Sequence, residues 1–581
     1  MAESALTTGP AQGRKLYEQI ATSLKTARSE FEGHYRELER AIAPRLGVFG
    51  SGGDARNRAG AKLNAHLLDA TAQQALSVLQ AGMQSGITSP ARPWFRLIPV
   101  DPEDADNAQV KAYFHEVERI LRNIFLNSGL YNMLHTSYGH LGLYGTEAGI
   151  VEPHPRRVVY GQQLTPGTYW LGASGDSVVD TLYRETRFSV QQIVGRFVFN
   201  NERFSRPDWG GTPPMIKEAW DKGDYAKSFV VKHMILPRHD RDPRSLRPEQ
   251  KPWASVYWMD ENKSGELLAE SGYQRKPITA SRWETLDNAV YGRGPGMVAL
   301  PEVKEANSLK RDFHEMLNRV NRPPMNISAM SRNSGFSMMP GALNYVEDVN
   351  TQGARPVFEV NPAFGELRQQ LVEVRERIWS MFFADLFLMI SNTDRRQITA
   401  TEVDARQEEK LIALGPVLER LHLEKLGPLL ETVFMFADEA GLLPEPPEEI
   451  VESGFEFDYI SMLAQAQRAV GVASIDRLWG FAGNVSAVKP EVLDKLDEDV
   501  TIDEYAAMLG VPPRMVRPDD KVVETREQRA QAQQQQAAAE AAPQVAQAAE
   551  SGAKAAQVLS EVSSPRDFDP QDVLRRIGIG T

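Results

Sequence analysis

Two amphipathic segments, separated by residues 322–362, constrain this sequence more than any other feature. In both segments apolar residues recur at the three- and four-residue spacings that mark one face of an α-helix. The first face is Val303, Ala306, Phe313, Leu317 and Val320. The second face is Leu367, Leu371, Val374, Ile378 and Phe382.

The ends of both segments carry helix-boundary signals. Arg322-Pro323-Pro324 ends the first helix, because proline cannot continue the helical hydrogen bonds. Asn361-Pro362 opens the second, with asparagine as N-cap and proline at the first helical position. Between them lies a glycine- and asparagine-containing stretch of mixed strand character. We therefore predict two antiparallel helices joined by a small β-rich excursion.

A polar loop and a long helix are predicted after this pair. Residues 391–397 form the polar loop, and Thr399-Ala400-Thr401-Glu402 is a capping box, with Ile398 and Val403 spaced as a hydrophobic staple. The helix that starts there meets Gly415-Pro416 and Gly427-Pro428. Since proline inside a helix removes a hydrogen bond, we predict one long helical run bent twice.

The N-terminal half divides into a helical part and a strand-rich part. Helical spacings cover about residues 15–42, 63–83 and 107–125. From 149 to 283, segments rich in β-branched and aromatic residues lie at 157–160, 177–187, 229–236 and 253–258, and residues 262–265 are predicted to form a hairpin turn. The predicted fold class is mainly α with a β-rich insertion, an α+β protein.

The charge of the chain is negative and unevenly distributed. The formal net charge is −13, which argues against a simple phosphate-clamping protein. Residues 443–510 hold fourteen acidic and four basic side chains, typical of a solvated acidic face. Arginines among prolines and acids at 237–251 indicate a mobile loop rather than a nucleic-acid site. For the Ala/Gln/Glu-rich residues 524–560, disorder and a helix that packs against copies of itself both stay open.

Composition also indicates where the protein is found. The chain has no cysteine, so neither a disulfide framework nor a thiolate metal site is available, and a reducing compartment fits. Residues 1–10 lack the apolar core of a signal peptide. The longest apolar run, 379–390, is too short to span a bilayer. We expect an intracellular protein without a membrane partner.

No catalytic motif emerges from the sequence. The GxxxxGK[ST] phosphate loop is absent, and Gly292-Arg293-Gly294-Pro295-Gly296 lacks the strand–turn–helix context of a dinucleotide fingerprint. The ten histidines are scattered without the spacing of a zinc site. Gly172-Ala173-Ser174-Gly175 is followed by Asp176 where a nucleophile elbow needs glycine. We therefore predict no enzyme activity, no cofactor and no bound metal.

Several sequence stretches follow one another along the chain. They are Leu68-Asp69 followed by ITSPARPWF (87–95), YGRGPGMVALPEVKEAN (291–307), GALNYV (341–346), TATEV (399–403), GPVLERLHLEKLGPLLETVF (415–434), GLLPEPP (441–447), SMLAQAQR (461–468) and residues 497–512 ending in LGVP. In this order they resemble the podovirus-type head-to-tail connector (portal) family of phages. No single motif is decisive, whereas their order over residues 16–526 is.

The resemblance implies a ring, usually of twelve subunits, at one capsid vertex. Mapped onto this sequence, it implies a division of the chain into eight parts. They are a wing (1–290), stem helix 1 (291–321), a clip (322–362), stem helix 2 (363–390), a channel loop (391–397), a long kinked wing helix (398–442), a helical crown (443–520) and an Ala/Gln-rich tail (521–581) that is a helical barrel or disordered.

The same resemblance implies roles for residues and partners. Phe313, Leu317, Val374 and Ile378 would pack the stem; Ser334, Phe336, Met338 and Met339 would dock partners in the clip; Asn392, Asp394, Arg395 and Arg396 would form the channel loop. The implied partners are further copies in a dodecamer, double-stranded DNA in the channel, the major capsid protein, scaffolding protein, the terminase large subunit and a tail adaptor or neck protein. The implied location is the virion head–tail junction, after assembly in the host cytoplasm.

Two alternatives stay open at this point. One is another phage neck or tail adaptor ring protein, although a subunit of this size fits that class less well. The other is a nucleic-acid-processing enzyme of unknown type. A twelvefold ring with a central hole would distinguish the portal from both.

Overall fold

A computed structural model describes two compact units of the chain, residues 1–471 and residues 472–581. The described residues are 10–49, 64–101, 104, 107–199, 207–262, 265–287, 289–321, 325–326, 355–356, 364–392, 414–460, 475, 477–486, 489, 495–509, 517, 521–523 and 525–533. Both helices and sheets are present, so the predicted α+β class is confirmed at that level.

In the described residues, nine α-helices precede the long helical run. They are α1 (Pro10–Ala41), α2 (Thr71–Ile87), α3 (Ala108–Ser128), α4 (Leu130–Tyr144), α5 (Val190–Ile193, continued by a π-helical turn at Val194–Val198), α6 (Pro214–Asp221), α7 (Pro295–Asn321), α8 (Phe364–Met381) and α9 (Ala384–Asn392). The run itself, α10, joins α-helical residues 414–421, a π-helical turn at His422–Leu426 and the α-helix Gly427–Glu439. Then follow α11 (Glu448–Ser453) and α12 (Glu498–Leu509).

The strands of the described part of the chain form four antiparallel sheets. Strands β1 (Phe95–Pro99), β2 (Thr146–His154), β3 (Val158–Gln163), β4 (Tyr169–Ala173), β5 (Val179–Ser189), β6 (Ser228–Pro237), β7 (Trp253–Trp258), β8 (Ala269–Tyr273), β9 (Ile278–Arg282), β10 (Met325–Asn326), β11 (Arg355–Pro356) and β12 (Phe455–Tyr459) are described. The sheets have the orders β1-β12, β10-β11, β3-β2-β9 and β4-β5-β6-β7-β8. The predicted strand-rich region therefore forms two meandering sheets.

The main core lies between helices of the first unit. It brings together the buried faces of α2, α3 and α4, the first turns of α7, and α8, α9 and α10. The C-terminal part of α1, with Tyr35 and Leu38, also belongs to this core. The N-terminal part of α1 lies against the five-stranded sheet, where Tyr17 stacks on Trp258 at 6.2 Å between ring centroids. The guanidinium of Arg28 lies 4.2 Å from the centroid of the Trp170 ring, a cation–π contact with the same sheet.

Helix α4 was not predicted from the sequence. Twelve of its fifteen residues are buried, so it has no polar face and no amphipathic period. Helix α2 begins at Thr71, later than the predicted start near residue 63, and the Asp69 carboxylate accepts a hydrogen bond from the Thr71 backbone N–H. Helix α3 agrees with the prediction, with the Asn107 side chain capping it.

The predicted continuous helix at 363–390 is wrong at residues 382–383. Helix α8 ends at Met381, Phe383 has a left-handed φ of 54°, and α9 starts at Ala384. Phe382 is fully buried, and the Phe383 ring lies 6.0 Å from the Trp283 ring. Tertiary contacts of these aromatic rings therefore override local helix propensity.

The predicted long run is helical from 414 to 439. Its irregularity is the π-helical turn directly before Gly427-Pro428, where proline cannot donate to the carbonyl four residues earlier. The Asn361-Pro362 cap, the Thr399–Glu402 capping box with its Ile398–Val403 staple, and Pro323-Pro324 lie outside the described residues.

The predicted start of the crown, residues 443–460, belongs to the first unit. Strand β12 pairs with β1 in antiparallel register, from Phe95 opposite Tyr459 to Pro99 opposite Phe455. In the second unit, the described helical residues lie at 477–486, 498–509, 521–523 and 525–533. Arg526 and Asp499 form a 2.6 Å ion pair there.

Candidate functional site

Helices α7 and α8 pack side by side and run antiparallel. Arg377 on α8 forms a 2.9 Å ion pair with Glu302 on α7. Further along, the Phe313 ring lies 5.8 Å from the Phe364 ring in an edge-to-face contact. The start of α7 therefore lies beside the end of α8, and the two helices run antiparallel as predicted from the sequence.

Burial in the pair decreases from one end to the other. At the end near the main core, Val303, Ala306, Val374 and Ile378 are all at most 2% exposed. Further from the core, Phe313 and Leu317 on α7 are half-buried, and so is Leu371 in the middle of α8. Val320 and Val372 are 43% and 44% exposed. The single chain therefore leaves apolar surface of this pair uncovered.

The surface charge of the pair is balanced. Residues 295–321 contain four acidic and four basic side chains, and residues 364–381 contain three of each. Because opposite charges are interspersed along both helices, the pair has no extended basic surface that would hold a phosphate backbone.

The two-stranded ribbon β10–β11 lies at the distal end of the pair. Met325 is opposite Pro356, and Asn326 is opposite Arg355. The segment between α7 and α8 was predicted to be β-rich. Near its start and near its end it forms the two strands of this ribbon, which pair with each other.

Asp69 connects the segment before α2 to both helices of the pair. Its Oδ2 accepts hydrogen bonds of 3.0 and 2.6 Å from the Arg375 guanidinium on α8, and lies 3.8 Å from the Lys310 ammonium on α7. Asn307 on α7 accepts from the backbone N–H groups of Leu68 and Asp69. Burial by itself would raise the pKa of Asp69, but hydrogen bonds from Thr71 and Arg375 outweigh it and lower that pKa.

Three glycines allow the start of α7 to lie directly against the end of α4. A Cβ on Gly292 would lie 2.5 Å from the Gly145 carbonyl oxygen, and one on Gly294 would lie 2.7 Å from the Gly145 backbone nitrogen. A Cβ on Gly296 would lie 2.5 Å from the Leu143 carbonyl oxygen. The segment Gly292–Gly296, which does not fit a dinucleotide fingerprint, therefore packs its backbone directly against the end of α4. Because only glycine allows this close approach, the segment fixes the direction in which α7 starts.

The π-helical turn of α10 contacts the three-stranded sheet through two ion pairs. Lys425 and Glu147 both have fully buried side chains, and their charged atoms are 2.7 Å apart. Ser281 donates to Glu147 through both its N–H and its hydroxyl, and Gln163 donates to the other carboxylate oxygen. Desolvation lowers the pKa of Lys425, with Glu147 acting in the opposite direction.

The second pair lies one residue earlier on the same turn. Glu424 accepts from the Arg282 guanidinium at 2.6 Å and from the Arg282 backbone N–H at 2.9 Å. Glu424 therefore contacts β9, and Lys425 contacts β2. The π-helical turn, which is wider than an α-helical one, places these two successive side chains against the same sheet.

The structure describes five of the twelve predicted site residues. Val374 and Ile378 are buried in the main core, and Phe313 and Leu317 are half-buried on α7. Asn392 is the last residue of α9, not part of a loop. The remaining seven, Ser334, Phe336, Met338, Met339, Asp394, Arg395 and Arg396, lie outside the described residues.

Sequence reasoning did not find Asp69, Glu147, Lys425, Glu424 or Arg282 as structural contacts. Their partners lie far away along the chain, so no local spacing indicates them. The described residues contain no cluster of three or more metal-binding side chains. Among the described helices, none combines the length and hydropathy needed to cross a bilayer.

Comparison with known proteins gives three consistent results. Residues 14–516 match the sequence model of the bacteriophage head to tail connecting proteins. The chain is 40% identical over 518 residues to the "Probable portal protein" of Bordetella phage BPP-1, covering 89% of this chain and 91% of that protein. It is 36% identical over 519 residues to the "Portal protein" of Salmonella phage epsilon15, with the same two coverages.

Proposed function

This chain belongs to the family of bacteriophage head to tail connecting proteins, and from that membership we propose that it assembles into a twelvefold portal ring. The predicted family is thereby confirmed, and the protein is a head-to-tail connector of the virion rather than a neck adaptor of another family. The ring would surround a channel through which double-stranded DNA is packaged and later ejected.

The observation that carries this proposal is the α7–β10/β11–α8 unit. One amphipathic helix leads away from the core, a ribbon closes the distal end, and a second helix returns antiparallel. Apolar side chains of this unit, including Val320 and Val372, are exposed in one chain. Copies of the same unit packed around an axis would cover that surface and form a tube.

The charges of the unit suit a tube through which DNA slides. DNA carries one negative charge per roughly 1.7 Å of axis, so a basic lining would hold it through many phosphate contacts. The balanced charge of α7 and α8, in a chain of net charge −13, supports passage rather than capture.

We assign the parts of the chain in the same way. Residues 291–321 and 363–390, the latter broken at 382–383, form the stem, and 322–362 form the clip. Residues 393–397, beyond the last residue of α9, form the channel loop. Residues 443–520 form the crown, of which 443–460 lies in the first unit, and 521–581 form the tail. The major capsid protein and scaffolding protein contact the ring at the capsid vertex. The terminase large subunit and a tail adaptor dock in turn on the clip, beginning in the host cytoplasm.

Electron microscopy of the purified full chain tests the ring. We expect rings with a central hole and twelvefold symmetry, and a particle mass that is a matching multiple of the chain mass. A protein that remains monomeric across the accessible concentration range, also with scaffolding protein present, contradicts the proposal.

The clip assignment has a separate test. Replacing residues 334–339 with a neutral linker of equal length should leave rings intact, because the stem and core do not include that segment. Packaging or tail attachment should fail, measured as the yield of DNA-filled, tailed particles. A linker of the same composition in the exposed turn at 155–157 serves as the control, and normal infectious yields from the clip variant would contradict the assignment.

A further inference from the structure

The loop between β6 and β7 presents one leucine almost entirely to solvent. Leu246 is 96% exposed, the largest exposed fraction given for any large apolar side chain in the described part of the chain. Arg244 and Arg247 on either side of it are also exposed. We call residues 241–247 the arginine loop. In the sequence, this region was predicted to be a mobile loop.

Internal hydrogen bonds hold the arginine loop in shape. The Asp242 backbone N–H donates to the Gln250 side chain at 2.9 Å, and the Asp242 carboxylate accepts from the Arg244 backbone N–H at 3.0 Å. At its base, Arg238 forms a 2.7 Å ion pair with Glu270. Neither Arg244 nor Arg247 forms an ion pair with the residues that the structure describes. Two free guanidinium groups thus flank an exposed apolar side chain.

A surface of opposite charge lies in the same unit, between α10 and β12. Residues 438–452, which we call the acidic segment, contain six acidic side chains and no basic one. Two apolar side chains are exposed within it: Val451 at 68% and Leu442 at 46%. Glu448 lies three positions before Val451 on α11, and Glu452 follows it, so carboxylates flank an exposed apolar side chain.

The two surfaces belong to different cores of the unit. The arginine loop extends from the five-stranded sheet, whereas the acidic segment adjoins the β1–β12 ribbon and α3 through the Asn107–Glu449 hydrogen bond. Complementary surfaces at different places on one chain produce a heterologous contact between neighbouring copies. Repeated contacts of this kind form a ring when the rotation that relates neighbours closes.

We propose that the arginine loop of one subunit docks on the acidic segment of the next subunit in the ring, with Leu246 covered by Val451 and Leu442. Arg244 and Arg247 then lie against Glu448 and Glu452. This contact rests on the proposed ring. It adds a second interface, in the wing, to the packing of the stem helices.

Engineered cysteines test the contact directly, because the chain has none of its own. In the full-length Leu246→Cys, Val451→Cys chain, mild oxidation or a short bismaleimide should give a ladder of covalent oligomers up to the ring size. The matched control is Leu246→Cys with Leu286→Cys, since Leu286 is 86% exposed. The control and both single-cysteine chains should not form the ladder beyond dimers.

The outcomes separate this inference from the proposed function. Rings by microscopy without the ladder, or cross-links within one chain only, overturn the docking contact and leave the portal assignment in place. A wild-type chain that forms no rings overturns both.

Charge reversal provides an independent test. Arg244→Glu with Arg247→Glu should reduce the ring fraction at low salt at least severalfold, and Glu448→Arg with Glu452→Arg should do the same. Combining all four changes should restore rings, and added salt should weaken the wild-type contact because it screens exposed charges. A fourfold variant no better than either double variant overturns the proposal, as does an arginine-loop variant that assembles fully and loses only DNA binding.

Discussion

His140 lies on α4 beside the buried Glu147–Lys425 pair, with its Nδ1 3.3 Å from the Gln163 amide nitrogen. Burial, together with the nearby Lys425 charge, lowers the pKa of His140 to about 3. A histidine of the unfolded chain has a pKa of about 6.5. Between these two values the unfolded state binds the proton and the folded state does not, so stability falls as the pH is lowered through that range.

The prediction concerns the melting temperature as a function of pH. His140→Gln keeps a polar side chain that cannot take up a proton, so we expect its melting temperature to fall less than that of the wild type between about pH 6.5 and pH 4. His115→Gln, at an exposed position of α3, is the control and should keep the wild-type slope. Identical slopes for all three proteins would show that His140 does not contribute.

Individual buried charges could not be predicted from this sequence. Lys425 occurs in a helix where lysine is ordinarily solvated, and Glu147 occurs at the start of a strand-rich region. Their burial depends on a contact between residues that are 278 positions apart in the sequence. Helical and strand periodicity describe only neighbouring residues, so neither can predict such a contact. Buried apolar positions were easier to predict. Val374 and Ile378 are buried as expected, because the apolar face of an amphipathic helix is the face that packs against the rest of the protein.

At the scale of elements, α9 packs closely against α2 at Gly82. A Cβ on Gly82 would lie 2.2 Å from Cγ of Phe387, so Gly82→Ala must displace the ring or the helix. We expect a loss of about 1–3 kcal/mol in the free energy of unfolding, measured by denaturant titration.

Gly33→Ala is the matched control for this change, since Gly33 also lies inside a helix and a Cβ there meets nothing within 4 Å. That variant should gain roughly 0.5–1 kcal/mol, because alanine favours the helix. If the contact is as described, Gly82→Ala should cost much less in a Phe387→Ala background, where the ring is absent, than in the wild type. Equal stability of Gly82→Ala and Gly33→Ala would contradict the contact.

In the α7–α8 pair, we expect some substitutions to lower the stability of the single chain and others to weaken ring assembly. Val374→Ala should cost about 2 kcal/mol in the isolated chain, toward the lower end for core truncations, while Val372→Ala, at a 44% exposed position, should cost little. Phe313→Ala removes the ring that contacts Phe364 at the half-buried distal end. There we expect weaker ring formation, seen as more free subunit on a sizing column.

The stem-packing prediction has a clear contrary outcome. Phe313→Ala rings of unchanged size and thermal stability would show that this face is not an assembly surface. Val374→Ala and Val372→Ala of equal stability would show that the buried stripe does not hold the pair together.

The elements differ in how far sequence alone could define them. Helices α3, α7 and most of α8 were predicted because each has one apolar and one polar face. Helix α4 was missed because it is buried on nearly every side, and the α8–α9 break was missed because it depends on Phe382 and Phe383 packing against distant residues. Strand β7 was predicted at its observed bounds, since aromatic and β-branched residues concentrate there.

At the scale of the whole molecule, the segment between α9 and the described part of α10 is the expected channel constriction. Two arginines and one aspartate stand at 394–396, directly beyond the end of α9 at Asn392. Repeated around a ring, they give more guanidinium than carboxylate groups at one level of the channel. Such a collar would contact phosphates transiently and hold packaged DNA, while the charge-balanced stem lets the DNA slide.

We therefore expect Arg395→Ala with Arg396→Ala to assemble rings and begin packaging normally, since neither the stem nor the clip changes. The defect should appear late, as DNA lost from filled heads during a heat or chelator challenge, measured by the nuclease-protected DNA that remains. Arg156→Ala with Arg157→Ala, two adjacent exposed arginines in the β2–β3 turn, is the control and should retain DNA like the wild type. Because charge is removed equally in both variants, they test the proposed position of residues 394–396 on the ring axis. Equal retention in all three particles would mean that residues 394–396 do not hold DNA, and so would an experimental ring structure with Arg395 and Arg396 on the outer rim.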